Sequence, residues 1–309
     1  MNNQYSEYVP NVHFELIPIK NLVSNQTYQR NISTKQVEQA AQEFDVNQIN
    51  PVKVSRRDGI NYVFNGQHTI EIVAEVSGSR DTPVWCMIYD DLVYEHEADI
   101  FANQSKFVRP LTPYDIFVAN LEAGNQEQIM IKELVESFGL VISGKDAPGN
   151  ICAVASIQEI LRRYGYATLD HTLRLCIATW EGVAHSLSSC ILKAISILIT
   201  VYGDDLDDEI FKEKLGCISI RELLRTAKER RSGVIGYAEA MLTFYTKGNR
   251  GGKNCLSLEK LYAFQAAQAK RYKKAPPQPK DPIVDDEKSE EGEDTIEQLS
   301  FSDTPQSQA

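Results

Sequence analysis

Short apolar runs with alternating polar neighbours dominate the first ninety residues of the chain, and an apolar period of three to four residues dominates almost everything after them. Residues 12–19 read as a short strand that runs into a proline-broken turn. Ser33, with Gln36 three residues on, is a capping-box signature, and Val37, Ala40, Ala41 and Phe44 form the apolar face of the helix behind it. Residues 52–56 and 60–64 are strand-like and flank Arg57-Asp58-Gly59, where Asp-Gly predicts a tight type I′ hairpin turn. Ile70, Val73, Ala74 and Val76 then recur at helical spacing up to Gly78, and residues 83–89 have the length and composition of a buried strand.

After Asp90 the period is helical. Helices are predicted over 95–104, from the Thr112-Pro113 cap to about Gly124, and over 126–138, 151–164, 169–184, 187–202, 219–231, 234–245 and 257–272, with no fixed repeat relating them. The pattern predicts an α+β fold class with four parts: a flexible N-terminus (1–11), a compact sheet-and-helix domain (12–120), an all-helical domain (121–272) and a disordered acidic tail (273–309). A length of 309 residues suits two domains, and 42% hydrophobic with 24% charged residues is ordinary for a globular protein.

Charge changes the picture once it is divided along the chain. The formal net charge is −11, but residues 280–309 carry a net of −8, leaving a nearly neutral body at −3. The acidic balance therefore does not exclude nucleic acid as a partner of the body. The longest apolar stretch, 190–202, is too short to span a bilayer and contains Lys193, and the N-terminus lacks a basic-then-apolar leader, so a cytoplasmic location and no membrane partner are expected. Six cysteines lie far apart with no C-x-x-C pair, which points to reduced, buried thiols.

The segment Tyr62-Val63-Phe64-Asn65-Gly66-Gln67-His68-Thr69-Ile70 carries the candidate chemistry. A strand stops at a glycine and a helix starts within two residues, which aims free backbone N–H groups and a positive dipole end at one point, and an anion or phosphate is the expected guest. His68 is a candidate phosphate donor or general acid–base. The other histidines show no metal-ligand spacing, and the acids at 204–209 suit a helix start, so no metal site is expected. The two helices bracketing residues 140–150 are separated by a loop far longer than that of a helix-turn-helix, while Arg221, Arg225, Lys228, Arg230 and Arg231 mark a basic helix further on.

Three boxes in order, Tyr28-Gln29-Arg30, then Gly66-Gln67-His68-Thr69, then Asn103-Gln104 with Lys106, Arg109 and Leu111-Thr112-Pro113, resemble the ParB N-terminal domain of the ParB/sulfiredoxin fold group. The resemblance covers residues 12–120, and the Gly-Gln-His-Thr box is similar to the variants in proteins of phages and mobile elements. It implies a ParB/sulfiredoxin-like domain whose pocket binds a nucleotide, CTP or ATP with magnesium, through Arg30, Gly66, Gln67, His68, Thr69, Asn103 and Arg109, with Lys106 nearby. It also implies DNA as a partner and a homodimer or partner protein. Where ParB has two arginines this chain has His68 and Thr69, two fixed positive charges fewer. Sulfiredoxin activity is not expected, because Gln67 stands in the place of the nucleophilic cysteine. Two further readings stay open at this point: an enzyme using the same pocket, as a nuclease, nucleotide hydrolase or phosphotransferase with His68 as candidate catalytic residue, and a non-catalytic adaptor.

Overall fold

The computed structural model describes residues 10–24, 27–90, 92–104, 106–248 and 256–274, with side chains described to 269. Most of the N-terminal 1–11, the tail from residue 275 and Cys255 therefore lie outside the described residues. The chain divides into two compact units, Met1–Pro110 and Leu111–Ala309.

The first unit is α+β. Its strands β1 (His13–Pro18), β2 (Leu22–Ser24), β3 (Val52–Arg57), β4 (Ile60–Asn65) and β5 (Pro83–Tyr89) form one mixed sheet in the order β1-β5-β3-β4-β2. The β1–β5 and β3–β4 pairs are antiparallel, whereas β3–β5 and β2–β4 are parallel. Both central residues of the β3–β4 turn take positive φ, Asp58 at 52° and Gly59 at 77°, as a type I′ turn requires. The three-residue β2 escapes a pattern reading because it is too short to show an alternation.

Helices α1 (Thr34–Gln42), α2 (Gln67–Ser77) and α3 (Tyr94–Asn103) complete the unit. Ser33 Oγ accepts from Gln36 N–H at 3.4 Å, which is the Ser33 half of the expected capping box. Ile17, Ile19, Val52, Val54, Val63, Ile70, Val84, Cys86 and Ile88 form the buried apolar cluster. Each fully buried aliphatic side chain among them contributes roughly 1.5–3 kcal/mol.

The second unit contains α4 (Pro113–Glu122), α5 (Gln126–Ser137), α6 (Val154–Tyr164), α7 (Tyr166–Trp180), α8 (Ser189–Tyr202), α9 (Asp208–Gly216), α10 (Ile220–Arg230), α11 (Val234–Thr246) and α12 (Leu258–Lys274). Phe117 of α4 belongs to this unit's core, in keeping with a division after Pro110. Helix α8 is apolar on nearly all sides, and α6, α7, α11 and α12 pack around it. The unit is not purely helical: within the stretch read as a long loop, β6 (Val141–Ile142) and β7 (Asn150–Ile151) make a short parallel bridge. The acids at 204–209 do start a helix, as Asp207 Oδ1 accepts from Ile210 N–H at 3.0 Å.

Three-residue turns join α4 to α5, α9 to α10, and α10 to α11, the last through Arg231-Ser232-Gly233. A Cβ on Gly236 would collide with the Arg231 carbonyl oxygen, so that glycine permits the close crossing. Helix α11 is almost wholly buried, from Gly236 to Leu242 without interruption, which leaves it no face for reading a DNA groove. Among the described residues no helix is long and apolar enough to cross a membrane.

Candidate functional site

Gly66 sits between β4 and α2 with φ 105° and ψ 14°, a left-handed conformation in which a side chain is strained. A Cβ there would also lie 3.1 Å from Val52 Cα and 3.2–3.3 Å from both Val52 methyl groups. The register of β3 against β4 shifts between Lys53 and Val54, opposite the end of β4, so the two chains approach closely where the glycine stands. No side chain caps α2, which leaves its first-turn N–H groups directed outward with the positive end of the helix dipole.

Gln29, Arg30, Phe64, Asn65, Gly66, Gln67, His68, Thr69 and Phe101 line a cleft of about 160 Å³ at this junction. Two hydrogen bonds fix its walls. Gln67 is only 7% exposed and its Nε2 donates to the Arg30 carbonyl at 2.5 Å, holding the 28–30 segment against the start of α2. Gln29 Nε2 donates to the Val63 carbonyl at 2.6 Å, and that fixes the amide with Oε1 as an acceptor. Gln29 Oε1 is buried and has no donor among the described residues. A third bond, Asn65 Nδ2 to Gln104 Oε1 at 2.8 Å, ties the end of β4 to the end of α3.

Behind the wall lies a charged cluster that pattern reading missed. Glu97 on α3 is fully buried; Arg57 Nε lies 2.9 Å from its Oε1, and Tyr28 Oη donates to Oε2 at 3.4 Å. The Arg57 guanidinium also covers the Tyr62 ring at 4.4 Å, and the Tyr28 ring meets Tyr94 and Phe101 at 5.7 and 5.5 Å. Burial, and then the Glu97 charge, push the Tyr28 phenol up from its ordinary value, so it stays protonated and donates. The cluster therefore anchors Tyr28, and with it the neighbouring Gln29 and Arg30. A signal for it existed in the sequence, an acid among apolar positions of a helix, but only burial distinguishes it from a solvated one.

Of the residues singled out from sequence, the structure brings Arg30, Gly66, Gln67, His68 and Thr69 together at the cleft. Arg30 is exposed and His68 and Thr69 are half-buried, and among the described residues neither the Arg30 guanidinium nor the His68 ring has a hydrogen-bond or ion-pair partner. Asn103, Lys106 and Arg109 do not line it. Asn103 turns back on its own helix, with Nδ2 donating to the Asp99 carbonyl and to Asp99 Oδ1 at 3.0 and 2.9 Å, while Lys106 and Arg109 are exposed. From the third box it is Gln104 that reaches the junction. Among the described residues no cysteine lines the cleft; burial pushes Cys86 up to about 11 and Cys176 up to about 12, and Cys152 and Cys217, contrary to the expectation of buried thiols, are exposed.

No curated protein matches the chain. Among solved structures it is similar to the crystal structure of the C-terminally truncated chromosome-partitioning protein ParB from Caulobacter crescentus complexed with CTP-gamma-S, at 13% identity over 74% of this chain and 99% of that one, with a TM-score of 0.32. The profile of a family described as "Family of unknown function (DUF6551)" matches residues 23–259. That span exceeds half of the sequence, and the chain belongs to this family.

Proposed function

We propose that this is a ParB-like, DNA-associated cytoplasmic protein of a phage, plasmid or other mobile element, and that its Gly66 cleft binds the phosphate end of a nucleotide. The observation that carries the reading is the uncapped first turn of α2 meeting the unpartnered Arg30 and His68 in one cleft. Backbone N–H groups and a guanidinium converging on one point suit a phosphate, and a charge-assisted hydrogen bond of this kind is worth about 1.5–3 kcal/mol. The buried acceptor Gln29 Oε1 favours a guest that also brings a donor, as a nucleotide does and inorganic phosphate does poorly.

The volume limits the guest's seat. About 160 Å³ is well below the roughly 300–1,000 Å³ of sites that enclose a whole small molecule, so the cleft grips one part of a nucleotide and leaves the rest outside it. Magnesium fits only as a passenger. The nine lining residues offer amide and hydroxyl oxygens but no carboxylate, so the ion would be held chiefly by phosphate oxygens and water, with Asn65 and Thr69 among the side-chain oxygens that line the cleft. Asn103, Lys106 and Arg109 are retained as outlying contacts of a larger ligand rather than as cleft residues.

Equilibrium titration of the full chain with CTP, ATP and inorganic phosphate, with and without magnesium, tests the reading. Binding of a nucleoside triphosphate that weakens about tenfold in Arg30→Ala, some 1.4 kcal/mol, is the expected result. A natively folded chain that binds none of these at 10 mM overturns it. DNA association is checked separately by fluorescence anisotropy with duplex DNA at low salt.

A second reading, phosphoryl transfer or nuclease action, has the unpartnered His68 on the first turn of α2 in its favour. It requires turnover of a nucleotide or of DNA that disappears in His68→Ala while binding persists. An adaptor with a vestigial cleft would instead tolerate Arg30→Ala without functional change.

A further inference from the structure

We infer that the acidic C-terminal segment of this chain, residues 281–309, docks on the exposed basic face of α10 in the same molecule. The observations lie wholly outside the cleft and do not rest on the nucleotide reading.

Helix α10 buries Ile220, Leu223 and Ala227 and turns the rest of its surface outward. Arg221, Arg225 and Lys228, spaced by four and three residues, form a single stripe, continued at the helix end by Arg230 and Arg231. Five cations stand against two acids, Glu222 and Glu229, between 220 and 231. The pairing of Arg221, Arg225 and Arg230 is weak. Arg225 meets Glu229 at 3.8 Å with both side chains about 70% exposed, and among the described residues neither Arg221 nor Arg230 has a hydrogen-bond or ion-pair partner. In water such exposed pairs contribute from nothing to about 1 kcal/mol, so they are readily exchanged for a denser array of carboxylates.

The chain's own geometry delivers such an array. Arg231 is fastened to α12, donating to Gln265 Oε1 at 3.1 Å and covering the Tyr262 ring at 5.3 Å. Helix α12 thus passes the C-terminal end of α10 and runs nine residues beyond Gln265 to Lys274, about 14 Å at 1.5 Å per residue. The 35 residues that follow hold ten Asp or Glu, all within 281–309, against Lys280 and Lys288. Thirty-five residues can reach at most about 120 Å when fully extended. The α10 stripe, on a helix about 16 Å long, lies within that reach. Tethering at such a distance gives the segment an effective concentration in the millimolar range, which free polyanions seldom match.

Zero-length carbodiimide coupling of carboxylates to lysines in the full-length protein, read by mass spectrometry on a mixture of isotopically light and heavy chains, decides the matter. Coupling of acids in 285–297 to Lys228 within one chain is expected to exceed coupling to the exposed Lys35, Lys132 and Lys145. It should fall at least fivefold between 50 mM and 1 M NaCl, and equally in Arg221→Gln/Arg225→Gln, which leaves Lys228 in place. Both substitutions are at exposed positions, and an unchanged circular dichroism spectrum and melting temperature confirm the fold. Coupling spread over all lysines regardless of salt and of the two arginines overturns the proposal. Coupling found only between light and heavy chains overturns it in favour of a second copy. Absence of coupling together with loss of duplex-DNA binding in the double variant overturns it in favour of nucleic acid.

Discussion

The two units use buried polarity in opposite ways. Among the described residues the first unit has a buried apolar cluster of nine side chains, yet it also buries Gln29, Ser55, Gln67 and the carboxylate of Glu97. The second unit buries 36 apolar side chains in one cluster, and most of its buried hydroxyls are absorbed locally by helix carbonyls, as with Thr172 on Thr168 and Thr179 on Leu175. Polar groups in the second unit therefore mostly keep single helices satisfied, with Ser156 to Ser189, Tyr245 to Asp207 and Tyr202 to Ser257 as its ties between elements. In the first unit they connect separate elements, Gln67 to the Arg30 segment, Gln29 to β4, Asn65 to the end of α3, and Glu97 to Arg57 and Tyr28. A thin core with cross-element polar ties is what a preorganised binding cleft requires, and a thick apolar core is what a scaffold requires.

The sharpest test of that division is a cavity in the second unit. Leu198→Ala, at a side chain 1% exposed, should lower stability by about 3 kcal/mol in denaturant unfolding while leaving nucleotide affinity within twofold, because the cleft lies wholly inside the first unit. In the first unit stability and binding should fail together. Gly66→Ala adds a strained φ and a 3.1 Å approach to Val52 Cα, with an expected cost of about 3 kcal/mol and loss of measurable nucleotide binding in calorimetry. Glu97→Gln should cost about 2 kcal/mol and weaken nucleotide binding several-fold without touching the cleft, since it loosens Tyr28 and so the Gln29–Arg30 wall. By contrast Arg30→Ala, at an exposed position, should weaken binding about tenfold with a stability change within about 0.5 kcal/mol.

The smallest effect concerns the sheet edge. The hydrogen bonds from Arg56 hold Glu15 at about 2, well below its ordinary 4.5. A depressed carboxylate stabilises the fold above about pH 4.5, and that contribution is lost as pH falls towards 2. Melting temperature measured from pH 5 to pH 2 should accordingly fall less steeply in Glu15→Gln than in the parent chain, with no difference at pH 7 in nucleotide affinity.

Much of the local structure was legible. Strands at 83–89 and 60–64, the Asp58-Gly59 turn, the Thr112-Pro113 cap and the α10–α12 helices follow from short-range chemistry: alternation, turn residues and N-caps act within a few residues. The junction at Gly66 was legible for the same reason. Of β2 nothing was, because three residues show no period, and of α9 only the acidic start was. From the third box Gln104, and not Asn103, is bonded at the junction. Asn103 and Gln104 are adjacent, and which of them faces the junction depends on the rotation and end of α3, a matter of packing.

By itself the sequence determined that a strand ends in a glycine, that a helix begins there with Gln, His and Thr, and that the charge of the chain is gathered at its C-terminus. The tertiary structure alone decided that Gln67 is a clamp on the Arg30 carbonyl, that Arg30 joins His68 and Thr69 at one cleft while Lys106 and Arg109 do not, and that Glu97 is buried behind them. The reason is one of range. Caps, turns and dipoles are set by neighbours in sequence, whereas burial of a charge and convergence of side chains 37 or 69 residues apart are set by how strands and helices stack.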